Sequence, residues 1–270
     1  MGKGERTMDL GLKGKVALVA AASRGLGKAV AWELAREGAH VAICARNEDV
    51  LRATALEIAV DTLGEVFPVV ADVTRPEDIQ RLVSAVEERF GQIDILVNNA
   101  GGPPTGTFMD FDDEAWEAGL RLNLMSTIRL CRAVLPGMRA RHWGRIVNMT
   151  SASVKQPIDG FILSSAARSG VVGMAKTLAN ECAAEGITVN NVCPGWTLTE
   201  RVKSLAEGRA IKEGKSVREV VEDYAANIPA HRLGQPEELA ALVVFLASER
   251  AAYITGTTIQ VDGGYVRSLL

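Results

Sequence analysis

Two serines and an arginine offer the most legible chemistry in this 270-residue chain. The segment 144–151, GRIVNMTS, reads as a strand that ends in Ser151, and a loop then leads to a helix opening near Phe161. Ser164 and Arg168 stand four apart on that helix, so both side chains share one face. The chemistry on offer is that of hydroxyl donors beside a fixed cation. A serine hydroxyl can hydrogen-bond a carbonyl, but it yields its proton far less readily than a phenol, whose pKa is about 10. An arginine holds charge and has essentially no titration role. Lys155 and Asp159, in the connecting loop, read as solvated charge. Tyr224, Tyr253 and Tyr265 are distant from this motif in sequence, so no simple register shift supplies it with a phenol.

A second group of residues suits a nucleotide. Residues 20–27, AAASRGLG, lie between a short apolar run and a helical pattern. Gly25 and Gly27 would let the backbone turn and approach a pyrophosphate held at a helix N-terminus, with Ala21, Ser23, Arg24 and Leu26 completing the loop. Ala21 fits such a loop only if it avoids left-handed torsions. The next apolar run ends in Ala45-Arg46, where a site for an unphosphorylated adenosine ribose would carry an acid. Arg24 and Arg46 converging on one ribose fit a 2′-phosphate, hence NADP(H) in preference to NAD(H).

The elements that must position these groups alternate along the chain. Strands are expected at 15–21, 40–45, 66–72, 93–99, 145–149, 187–192 and 257–261. Helices are expected after Gly25, at 48–63, after a capping box at Thr74–Glu77, from Asp112 to Leu135 with a stop at Pro136-Gly137, through Arg168 to Glu185, and at 236–248. The alternation predicts an α/β fold: one Rossmann-like, doubly wound parallel sheet of about seven strands with helices on both faces. Residues 11–270 form a single domain in this reading, preceded by a disordered lead-in over 1–10. The charged insert at 197–232 carries Leu198, Val202, Leu205, Ile211, Val217 and Tyr224, and reads as a mobile lid over the strand C-terminal ends.

Composition narrows the classes. A net charge of −3 gives no footprint for nucleic acid or an anionic membrane. No apolar run reaches the roughly 18 residues of a membrane span, and the first residues lack the apolar core of a signal peptide. A cytoplasmic protein is the expectation. Cys44, Cys131, Cys182 and Cys193 have no metal spacing and read as buried thiols; no metal site is expected.

Taken together, these stretches resemble the short-chain dehydrogenase/reductase family, in particular its 3-oxoacyl-acyl-carrier-protein reductase-like branch. The glycine loop follows the family's G-x-x-x-G-x-G with Ala21 at the first glycine. Asp72-Val73 resembles the stretch with its adenine-contacting acid, and Asn98-Asn99-Ala100-Gly101 matches its N-N-A-G signature. Pro194-Gly195-Trp196-Thr197-Leu198-Thr199 resembles its nicotinamide-side loop, and Asp262-Gly263-Gly264 its C-terminal signature. The resemblance implies that Asn123 holds a water chain, that Ser151 orients a carbonyl, and that Ser164 and Arg168 occupy the positions of the proton-donating tyrosine and its lysine. It also implies a homotetramer or homodimer and a small carbonyl or alcohol substrate. Three functions remain open: an NADP(H)-dependent carbonyl reductase with altered acid–base residues, a nucleotide-binding sensor or assembly subunit without turnover, and, third, a cofactor-independent reaction of the dehalogenase or lyase type.

Overall fold

In the computed structural model, which describes residues 8–269, seven parallel strands form one sheet in the order β3-β2-β1-β4-β5-β6-β7. The strands are β1 (Val16–Val19), β2 (His40–Ala45), β3 (Val66–Val70), β4 (Ile95–Asn98), β5 (Gly144–Met149), β6 (Ile187–Pro194) and β7 (Thr258–Val261). The near-continuous apolar runs of β1, β2 and β4 reflect burial on both faces, while the edge strands β3 and β7 are only partly buried. Along β1, Ala17 and Val19 face one core while Val16 and Leu18 face the other. Helices α1 (Gly25–Arg36), α2 (Glu48–Thr62) and α9 (Pro236–Ala247) cover the first face. Helices α3 (Pro76–Phe90), α5 (Ser126–Arg141) and α6 (Ile162–Cys182) cover the second.

Strand order reverses between β1 and β4, so a crevice opens beyond their C-terminal ends. Asparagines tie that end of the sheet together. Asn98 Nδ2 donates to Asn148 Oδ1 at 2.8 Å, Asn148 Nδ2 to Asn191 Oδ1 at 2.9 Å, and Asn191 Nδ2 to Thr258 Oγ1 at 3.1 Å. Each pair is in parallel register, so the ladder runs from β4 to β7.

Several local expectations are corrected. The capping box at Thr74–Glu77 does not form: Asp72 Oδ1 takes the Thr74 hydroxyl at 2.8 Å, and α3 instead starts from Arg75 with Pro76 in its first turn. The helix expected from Asp112 to Leu135 is two, α4 (Asp113–Leu120) and α5, joined by a π-helical turn at Arg121–Met125. Nor does Pro136 stop α5, which runs to Arg141. An interior proline costs about 3 kcal/mol, but Leu130, Val134 and Met138 on either side of it are almost fully buried. Their packing holds the helix together across the missing N–H.

The insert contains α7 (Glu200–Glu213) and α8 (Val217–Ala226). These helices have a small core of their own, Ala206, Ala210, Val220, Tyr224 and Leu233, with Val202 and Val217 packed against it. Leu198 and Ile211, by contrast, are exposed. Of the lead-in, residues 1–7 lie outside the described residues. Asp9 and Leu10 are hydrogen-bonded through their carbonyls to Arg250 and Glu249.

Candidate active site

A cleft of about 860 Å³ lies along the C-terminal ends of the central strands. It is lined by Ala21, Ser23, Arg24, Gly25, Leu26, Arg46, Asp72, Val73, Asn99, Ala100, Gly101, Ser151, Ser164, Arg168, Pro194, Gly195, Thr197 and Thr199. Gly27 and Asn123 stand behind the wall. A Cβ at Gly27 would sit 2.7 Å from the Ala21 carbonyl oxygen and 2.8 Å from Asn99 Nδ2, so that glycine exists for close packing of loop against helix. Asn123 is buried in the π turn and donates from Nδ2 to the Gly101 carbonyl at 3.0 Å. Its Oδ1 is buried without a partner.

At one end of the cleft the backbone and two cations dominate. Gly25 takes φ +55° and so does Ala21 at φ +48°, contrary to the expectation that an alanine there avoids the left-handed region. Asn99 Nδ2 holds that turn through the carbonyls of Ala20 and Ala21 at 3.2 and 3.1 Å. The contacts imposed from β4 outweigh the local preference of the alanine. Arg24 and Arg46 both reach the cleft and form no ion pair among the described residues. Asp72, farther along, keeps its Oδ1 on Thr74. Thr199 caps α7, its Oγ1 accepting from Val202 N at 3.3 Å.

At the other end stand the serines and Arg168. Ser151 follows β5, and its Oγ accepts from Ser153 N at 3.1 Å, which leaves its hydroxyl proton free to donate. Ser164 Oγ accepts from Arg168 Nε at 3.1 Å. Arg168 is buried, and its Nη1 donates to the carbonyls of Met149 at 2.8 Å and Thr150 at 3.2 Å. Its Nη2 faces the Ala100 and Gly101 carbonyls at 3.4 and 3.5 Å. Burial pushes the guanidinium down to about 10, with repulsion from Arg201 added. It therefore stays charged near neutral pH, and all its donors are directed at protein. It braces the ends of β4 and β5 and polarises the Ser164 hydroxyl. Lys155 and Asp159 are absent from the cleft lining.

Burial raises Cys44 to about 11 and Cys131 to about 12, so neither is a nucleophile near neutral pH. No cluster of metal-ligating side chains occurs among the described residues. No described helix is long and apolar enough to cross a membrane.

The family model described as enoyl-(acyl carrier protein) reductase matches residues 20–266. The chain belongs to the short-chain dehydrogenase/reductase family. Among members of that family it is 41% identical over 256 residues to a 3-oxoacyl-(acyl-carrier-protein) reductase of Vibrio cholerae serotype O1, covering 94% of this chain and 98% of the relative. It is 36% identical over 265 residues to a D-beta-hydroxybutyrate dehydrogenase of Cupriavidus necator, covering 94% and 99%. A solved L-sorbose reductase from Gluconobacter frateurii, complexed with NADPH and L-sorbose, superposes with a TM-score of 0.93 at 37% identity, over 97% of this chain and 100% of the other.

Within this family fold, Tyr265 and Arg201 line the cleft although sequence reasoning did not place them there, and Trp196, which the sequence put in the nicotinamide-side loop, lines it with them. Tyr265 lines the same cleft as Ser151 and Ser164, although it is distant from them in sequence. Trp196 lies between Phe161 and Tyr265, its ring 6.1 and 6.4 Å from theirs. Arg201 donates to the Pro103 carbonyl at 2.8 Å, and desolvation lowers its pKa below the ordinary value. The signal for Tyr265 was the Asp262-Gly-Gly turn, which ends β7 and sends the chain back over the strand ends.

Proposed function

We propose that the chain is an NADP(H)-dependent carbonyl reductase in which hydroxyl groups and a buried guanidinium do the polarising. The cleft's two ends support this reading. The residues suit the nucleotide: Arg24 and Arg46 would hold a 2′-phosphate, the loop at Ala21–Gly27 a pyrophosphate, and Thr197 and Thr199 the carboxamide side. NADPH bound there supplies a hydride equivalent to a carbonyl carbon. The chain's own part is to orient and polarise. Ser151 and Ser164 each have a hydroxyl proton available for the carbonyl oxygen. The Arg168 charge behind Ser164 makes it a stronger donor. Of these observations, the one that carries the reading is the single cleft joining two cations without ion pairs to the Ser151–Ser164 pair.

One observation favours a second reading, a nucleotide-binding protein without turnover. The Arg168 donors are directed at protein, so that cation moves no proton. The two readings separate on NADPH consumption followed at 340 nm over a panel of ketoacyl esters, quinones and sugars, with product identification. Alcohol formed in step with NADPH loss supports the reductase. Tight NADPH binding with no product on any carbonyl supports the second reading. We also propose a homo-oligomer; light scattering at micromolar concentration should report a dimer or tetramer, and a monomer rejects that assembly.

A further inference from the structure

We propose that Tyr265 donates the proton that carbonyl reduction in this cleft consumes, an inference that rests on the reductase reading. The need is stoichiometric. As a C–H bond forms at the carbonyl carbon, the π pair of C=O moves onto oxygen, and that oxygen takes one proton. A serine hydroxyl polarises the carbonyl but is a poor proton source beside a phenol. Arg168 keeps its protons on backbone carbonyls. The carboxyl groups lining the cleft, Asp72 and Glu200, are acceptors when ionised. Among the described residues, Tyr265 is the phenol that lines it.

Three observations place that phenol. First, a built turn follows β7: Asp262 Oδ1 accepts from Gly264 N and Oδ2 from Val266 N, both at 2.9 Å, with Gly263 and Gly264 at φ +63° and +88°. The chain thus reverses at Tyr265. Second, the Arg267 backbone N–H donates to Gln156 Oε1 at 3.0 Å, which ties this tail to the loop between Ser151 and Phe161. Third, the Tyr265 ring stands edge-on to Trp196, which stands edge-on to Phe161, three residues before Ser164. The phenol therefore enters the cleft from the C-terminal segment, while position 164 itself has only a serine. The ring is partly exposed, so the phenolate left after transfer regains its proton from water.

Tyr265→Phe keeps the ring against Trp196 and removes the hydroxyl. With NADPH and ethyl acetoacetate, kcat is expected to fall about 10²-fold. KM and the fluorescence-measured Kd for NADPH should stay within about twofold; a purely packing role would move these first. A readout independent of turnover is nitration by tetranitromethane, followed by peptide mass. NADP+ with ethyl acetoacetate should shield Tyr265, while the fully exposed Tyr253 reacts as before. A Tyr265→Phe protein with unchanged kcat, or equal nitration of Tyr265 with and without those ligands, overturns the proton role and leaves the reductase reading standing. A wild-type protein that binds NADPH and reduces no carbonyl overturns the reductase reading, and the proton role with it.

Discussion

Replacing Arg168 by lysine separates a brace from a ligand-holding cation. The guanidinium serves three acceptors at 3.2 Å or less: Met149 O at 2.8 Å, Thr150 O at 3.2 Å and Ser164 Oγ at 3.1 Å. An ammonium is a point charge at the end of a flexible stem and does not reproduce this fork. Keeping one strong contact and losing two removes charge-assisted bonds in a buried setting. Each such bond is worth about 1.5–3 kcal/mol, and neighbouring groups recover part of the loss. The expected cost of Arg168→Lys is therefore about 2–4 kcal/mol of unfolding free energy. Guanidinium chloride unfolding at pH 7 without nucleotide measures it, with an unchanged m-value as the sign that the denatured state is the same. A loss below about 0.5 kcal/mol would falsify the brace, since surface substitutions fall within that range.

Other expectations follow from the same geometry. Gly27→Ala places a methyl 2.7 Å from the Ala21 carbonyl and 2.9 Å from Ala22 Cα; it should cost about 1–3 kcal/mol, and a neutral thermal shift contradicts that packing. Ala21→Gly releases a left-handed torsion worth about 1–2 kcal/mol, less about 0.4–1 kcal/mol of unfolded-state entropy. It should leave thermal stability equal or higher, and a clear fall in Tm speaks against strain at this position. Glu238 is held down to about 2, first by the Arg232 side chain and then by the Gln235 N–H. A depressed acid stabilises the fold above its unfolded value of 4.5 and loses that contribution as pH falls toward 2. Glu238→Gln should flatten the acid limb of the stability curve between those values, and superimposable curves refute the assignment.

The sheet was legible because its strands are short apolar runs closed by glycine or charge, as at Lys15–Ala20 and His40–Ala45. The glycine loop and the Asn98–Gly101 stretch were legible because close backbone approach restricts residue choice there. Where the reading failed, distant contacts decided. The Ala21 torsion is set by Asn99, far along the chain on another strand end. Pro136 stays helical because of the apolar face beneath α5. The π turn at Asn123 leaves the helical periodicity nearly unchanged in sequence. Tyr265 shares the cleft with Ser164 because the last strand pairs with β6 and the Asp262 turn follows it.

The most direct test of the account is a crystal structure determined after soaking with NADPH. It should show the 2′-phosphate between the Arg24 and Arg46 guanidiniums and the nicotinamide beside Ser151 and Ser164, with the Arg168 contacts to Met149 and Thr150 unchanged. A nucleotide whose 2′-phosphate touches neither arginine, or whose nicotinamide lies away from both serines, contradicts it.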